Sequence, residues 1–180
     1  MTSPAADSVA SLAALVRDIP DFPKPGVVFK DITPLLGDPD AFRRCIDGVA
    51  APFADQAITK VVGTEARGFI VAAPIAYQFG AGFVPVRKVG KLPWEIERQE
   101  YELEYGTDLL EIHRDGVHPG DRVLIVDDVL ATGGTAAATA RLVAKLGAEV
   151  VGFAFLIELE FLHGRDALGD ATVVSLITYA

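Results

Sequence analysis

Two adjacent aspartates, Asp127 and Asp128, stand between an apolar run and a Thr-Gly-Gly-Thr turn in VLIVDDVLATGGT, residues 123–135. The residue types divide into two chemical halves. Carboxylates accept hydrogen bonds from hydroxyls, or hold Mg²⁺ directly or through water. A glycine turn that runs into a helix presents free N–H groups and the positive end of the helix dipole, which together cradle an anion. Ala131, Thr132, Gly133, Gly134 and Thr135 form that turn, and the two threonines add hydroxyl donors. A sugar phosphate, with hydroxyls at one end and a phosphate at the other, matches both halves. The stretch is not a P-loop, because no Gly-Lys-Ser/Thr follows at the required spacing, and it is not the G-x-G-x-x-G dinucleotide pattern. The plain alternative is an ordinary capped strand-to-helix connection.

For this chemistry the apolar run must be a central strand of a parallel sheet, since ligands of open α/β sheets bind outside the C-terminal strand ends. The flanking pattern supplies such a sheet. Helical spacing covers 8–19, 38–53 (with Asp38 or Asp40 as N-cap), 69–80 (stopped by Gly80) and 134–148. Strands read at 57–68, 81–88, 121–128, 149–159 and 170–179. Residues 20–34 carry four prolines and read as irregular, with a short strand at 27–30. Strands alternating with helices give an α/β fold with a parallel sheet covered on both faces. Residues 89–105 are charged and lack a core pattern at either period, so they read as a long loop that is functional or disordered.

Bulk properties narrow the partners. A length of 180 residues suits one domain. A net charge of −9 repels DNA and RNA, so no nucleic-acid partner is expected. No run of 18 apolar residues and no signal peptide is visible, so no membrane partner is expected. The single cysteine, Cys45, excludes an internal disulfide and suits the cytoplasm. The three histidines show no metal-ligand spacing.

VLIVDDVLATGGT resembles the phosphoribosyl-diphosphate signature of type I phosphoribosyltransferases. PDFPKPGVVFKDITPLL, EARGF, VPVRKVGKLP and YELEYGTDLLEIH are similar, in order, to segments of the adenine phosphoribosyltransferase family. The resemblance runs from about Ile19 to Thr178. It implies a central, mostly parallel sheet flanked by helices, a small hood from residues 20–37 and a flexible loop at about 89–105. It also implies a homodimer and a reaction of adenine with phosphoribosyl diphosphate to give AMP and diphosphate, with Mg²⁺ held mainly through substrate.

The same resemblance assigns roles. The Ala131–Thr135 amides would hold the 5′-phosphate, and Asp127 and Asp128 the ribose hydroxyls. GTEARGF (63–69) would bind the diphosphate through Glu65, Ala66 and Arg67, with a non-proline cis peptide at Glu65–Ala66. Many members have Asp-Ser there, so a serine hydroxyl is missing. Arg87, Lys88 and Lys91 form the main basic cluster, whose loop would close over the diphosphate, with Arg87 reaching across the dimer. Glu104 would manage the proton of the base, beside Tyr105. Val28 and Lys30 would read the adenine edge through the main chain and Phe29 would stack on its face, with lysine standing where most relatives have arginine. A relative acting on 6-oxopurines, or a regulator of the same fold that senses phosphoribosyl diphosphate, stays open at this point.

Overall fold

The computed structural model describes residues 4–102 and 107–180. The chain divides into two compact units, Met1–Gly48 and Val49–Ala180.

The first unit contains α1 (Pro4–Ala13), β1 (Arg17–Ile19), β2 (Phe29–Asp31) and α2 (Thr33–Gly37), and α3 (Pro39–Ala50) carries the chain onward. The helix expected over 8–19 therefore stops at Ala13. Its tail is a strand because β1 and β2 pair antiparallel with opposite charges face to face, Arg17 against Asp31 and Asp18 against Lys30. The Lys30 ammonium lies 2.7 Å from Asp18 and the Arg17 guanidinium 3.7 Å from Asp31. Cross-strand ion pairs of this kind outweigh a weak helical preference. The short helix α2 lies in a stretch whose prolines read as irregular. The Asp31 carboxylate accepts from the Thr33 N–H (2.9 Å) and hydroxyl (3.0 Å), and Pro34 falls in the first turn, where proline is tolerated. Asp38, one of the two expected caps, accepts from the N–H groups of Asp40 and Ala41 at 3.0 and 2.8 Å and starts α3.

Among its described residues the second unit holds a seven-stranded sheet in the order β5–β6–β4–β3–β7–β8–β9. The strands are β3 (Lys60–Thr64), β4 (Gly82–Lys88), β5 (Ile96–Glu102), β6 (Thr107–His113), β7 (Arg122–Leu130), β8 (Glu149–Leu159) and β9 (Val173–Tyr179). Pairing from β4 through β9 is parallel, and β5 and β6 add an antiparallel edge. The sheet is mostly parallel, as the resemblance implied. Helices α4 (Gly68–Phe79) and α5 (Gly134–Lys145) connect its strands, and α4 stops at Gly80, which takes φ +63°. Residues 96–102, expected as loop, are a strand. Its sequence IERQEYE carries alternating charges because it is the outermost strand, and charge on an edge discourages further pairing.

β7 lies inside the sheet, with Val123–Val126 at most 1 % exposed. β3 pairs with β7 only as far as Gly63 opposite Val126, whereas β8 accompanies β7 to Leu130. The next two residues of β7 are Asp127 and Asp128. The acid pair thus falls where one neighbouring strand ends and the sheet opens at its C-terminal edge. No helix among the described residues is long and apolar enough to cross a membrane.

Candidate active site

The acid pair is buried and differentiated. Asp127 accepts from the Thr64 hydroxyl at the end of β3 and, at 2.9 Å, from the N–H of Asp128. The Asp128 side chain is 8 % exposed and lies 2.9 Å from Nε of Arg67. Burial pushes the carboxyl of Asp127 well above the usual range, and the neighbouring Asp128 charge adds to this. Burial also raises Asp128, with Arg67 opposing. Two carboxylates at adjacent strand positions make a site that favours positive charge or a hydrogen-bond donor beside it.

Their placement depends on Gly68. A Cβ there would run into the Asp127 carboxylate, so α4 can begin against β7 only with glycine at its first position. The β3–α4 turn carries Glu65, Ala66 and Arg67, and its Glu65–Ala66 peptide is cis. GTEARGF and VLIVDDVLATGGT, far apart in sequence, thus meet through Thr64–Asp127 and Arg67–Asp128.

Beyond the acids, residues 127 and 129–136 with Phe155 line a cavity of about 80 Å³. That is several times the roughly 10–15 Å³ that admits one water. Gly133 takes φ +80° and ends the turn, and among the described residues no side chain caps α5. The first N–H groups of the helix therefore face this cavity without intrahelical partners. The turn is backed by the segment after β8: a Cβ on Gly133 would strike the Gly164 carbonyl, and a Cβ on Gly164 would strike that of Ala131. Arg165 fixes this segment by two bonds of 2.7 Å to Glu158, at the end of β8, and one of 3.1 Å to the Val173 carbonyl. Those bonds to Arg165 hold the Glu158 carboxyl below its usual range.

The basic cluster is also assembled. Glu65 accepts from Arg87 Nε at 2.9 Å, from the Lys88 N–H at 3.2 Å and from the Lys91 ammonium. Arg87 thus bonds to Glu65 of its own chain. The Lys88 ammonium lies 3.2 Å from Asp108, whose bond raises the lysine above its ordinary value.

Three participants lie in the quoted segments but were assigned no role from the sequence. Tyr101 on β5 is buried and its hydroxyl donates to Asp108 at 3.4 Å. Glu111 on β6 is fully buried, and accepts from Arg98 at 2.8 Å and from the Gly90 N–H at 3.0 Å, anchoring the basic turn. Thr64, the second residue of GTEARGF, is a buried polar residue at the end of β3, and its place before the turn was the signal available in the sequence. Glu104 and Tyr105 lie outside the described residues. In the first unit, Val28 is exposed and the Phe29 ring meets Phe22 edge-on at 5.2 Å. The Lys30 ammonium is engaged by Asp18, so its side chain is directed to β1. Among the described residues no group of three or more His, Cys, Asp or Glu could cage a metal ion.

Residues 41–173 match the phosphoribosyl transferase domain. An adenine phosphoribosyltransferase of Myxococcus xanthus is 60 % identical over 171 residues, covering 95 % of this chain and 93 % of the relative. The crystal structure of the Rhodothermus marinus adenine phosphoribosyltransferase superposes with a TM-score of 0.94 at 54 % identity, over 97 % of this chain and 99 % of that one. The Saccharomyces cerevisiae enzyme, solved with an imino-altritol bisphosphate and adenine, superposes with a TM-score of 0.89 at 41 % identity, over 95 and 99 % of the two chains. The chain therefore belongs to the phosphoribosyl transferase family and, within it, to the adenine phosphoribosyltransferases.

Proposed function

We propose that the protein transfers the 5-phosphoribosyl group of phosphoribosyl diphosphate to adenine, giving AMP and diphosphate, a purine-salvage reaction. The observation that carries this reading is the Asp127–Asp128 pair set directly beside an anion-sized cavity walled by free helix N–H groups. The 5′-phosphate would occupy that cavity, held by Ala131–Thr135, and the ribose hydroxyls would donate to the aspartates. The C1′–O bond to diphosphate breaks ahead of bonding between the base nitrogen and C1′, so the ribose carries positive charge between the two events. Carboxylates beside the ring stabilise that charge, and Arg67, Lys88 and Lys91, with Arg87, would stabilise the departing anion. Glu104 would manage the proton lost by the base.

Adenine would be read by main-chain groups at Val28 and Lys30, with Phe29 on its face. A carbonyl accepts from a 6-amino group and repels a 6-oxo group. Because the Lys30 side chain is committed to Asp18, lysine in place of arginine leaves such main-chain reading intact. The carboxylates present fit Mg²⁺ that arrives on substrate oxygens: Asp127 is held by Thr64 and Asp128 by Arg67, so neither is arranged as part of a protein cage. When bound there, Mg²⁺ would neutralise diphosphate charge.

We also infer a homodimer. Ile70, Ala73, Pro74 and Tyr77 recur at helical spacing along the outer side of α4, with Tyr77 89 % exposed. An apolar stripe of this kind marks an association surface. Tyr77→Glu should shift the molar mass measured by light scattering from dimer to monomer. The cytoplasm, a reducing compartment, suits a lone buried thiol. A purine panel with phosphoribosyl diphosphate and Mg²⁺ tests the activity: adenine should release diphosphate and form AMP, and turnover of hypoxanthine or guanine without adenine would overturn the reading.

A further inference from the structure

The basic cluster already holds an anion, and that anion belongs to the protein. One Glu65 oxygen accepts from Arg87 Nε (2.9 Å) and the Lys88 N–H (3.2 Å), and the other accepts from Lys91. Its side chain is 7 % exposed, while those of Arg87 and Lys91 are 34 and 47 % exposed. Burial pulls the Glu65 carboxyl up, but the bonds from Lys91, the Lys88 N–H and Arg87 outweigh it and hold the group below its usual range. It is therefore charged at neutral pH. The Glu65 backbone is fixed, its N–H bonded to the Val86 carbonyl at 3.0 Å, so the side chain is the part that can leave.

Two of the side-chain donors that Glu65 collects, Arg87 and Lys91, are among those the proposed reaction assigns to diphosphate. A carboxylate and a diphosphate carry the same sign and need the same N–H directions, so they cannot occupy those donors together. We propose that Glu65 is an internal competitor for the diphosphate subsite, holding the Arg87 and Lys91 side chains and the Lys88 N–H in position when the site is empty and releasing them to the incoming anion. The inference rests on the phosphoribosyl-transfer reading. Its consequence is kinetic. A cluster of cations left bare would bind the diphosphate product tightly and slow its departure, a step that limits turnover in many enzymes. Return of the Glu65 carboxylate offers those cations a substitute partner and speeds release.

Calorimetric titration of the full-length protein with inorganic diphosphate and Mg²⁺ tests this. If the carboxylate occupies the cluster nine-tenths of the time, Glu65→Gln should tighten diphosphate about tenfold, since apparent affinity scales with the competent fraction. Product inhibition by diphosphate should strengthen in parallel. Glu65→Asp, which keeps the charge one methylene further back, should fall between the two, and it serves as the test should the glutamine variant not fold. Unchanged or weaker diphosphate binding in the variants would overturn the proposal and leave Glu65 a positioning residue. Failure of the unaltered protein to bind diphosphate would instead overturn the phosphoribosyl-transfer reading itself.

Discussion

The Arg67 guanidinium and the Asp128 carboxylate stand 2.9 Å apart, joining the β3–α4 turn to the acid pair of β7 across more than sixty residues of chain. In the proposed reaction Asp128 serves two partners, Arg67 and a ribose hydroxyl. Asp128→Asn keeps the shape and removes the charge. A hydrogen bond to a charged group contributes about 1.5–3 kcal/mol, so kcat/KM for phosphoribosyl diphosphate should fall roughly ten- to a hundredfold. Steady-state kinetics at saturating adenine measure this, and an unchanged value would remove Asp128 from ribose binding.

Asp127 makes the opposite prediction for stability. Its carboxyl is raised above the usual range by burial and by Asp128, so the folded state binds its proton more tightly than the unfolded chain. Stability contributed by this group is then full below the unfolded value and lost as pH rises through the folded one. Asp127→Asn should raise the melting temperature at pH 8, with its oxygen accepting from the Asp128 N–H and its amide facing Thr64. The gain should shrink as the pH falls and the native aspartate protonates. Melting curves from pH 4 to 8 check the sign, and a gain that persists unchanged at pH 4 contradicts it.

Much of the ligand-facing end was legible because its chemistry is local. The turn Ala131–Thr135, the strand before it and the helix after it are one continuous segment with its own period and its own glycines. Arg67, Arg87, Lys88 and Lys91 were legible only through resemblance, and what ties Arg87, Lys88 and Lys91 together is one glutamate whose partner set no spacing rule encodes. β1 and β5 were not legible. Arg17–Ile19 continues a helical pattern and becomes a strand through ion pairs with β2, and Ile96–Glu102 is an edge strand whose charges hide its period. Glu111 reads as one more surface acid in LLEIH, yet it is fully buried because Arg98 and the Gly90 N–H close over it.

Arg165 lies outside every motif, and its removal should be felt in the phosphate turn. Arg165→Gln leaves Glu158, with a side chain 4 % exposed, without the partner that depresses its carboxyl. Because Arg165 itself is half exposed, the loss at pH 7 should be about 1–2 kcal/mol, the lower part of the range for charged hydrogen bonds. The depressed carboxyl stabilises above its unfolded value, and that contribution is lost as pH falls through the folded one. The difference between variant and parent should therefore close in acid. Urea denaturation at pH 7 and near pH 3 measures both limbs, and the Michaelis constant for phosphoribosyl diphosphate should rise as the backing of Gly133 loosens.

Gly68 gives the sharpest sign. It is the first residue of α4, and alanine in helices is favoured over glycine by about 1 kcal/mol. Helix propensity alone therefore makes Gly68→Ala stabilising. The space says otherwise, because the new Cβ would meet the Asp127 carboxylate, which Thr64 and the Asp128 N–H hold from its other sides. Overpacking of this kind costs about 1–3 kcal/mol, and relief requires the carboxylate to move. The variant should lose stability in urea and lose transferase activity with it. Gly37→Ala, where nothing stands within 4 Å of the new Cβ, is the matched control and should be neutral or better. A Gly68→Ala protein as stable and active as its parent would mean that Asp127 is free to swing, and that the acid pair is not held for a ribose.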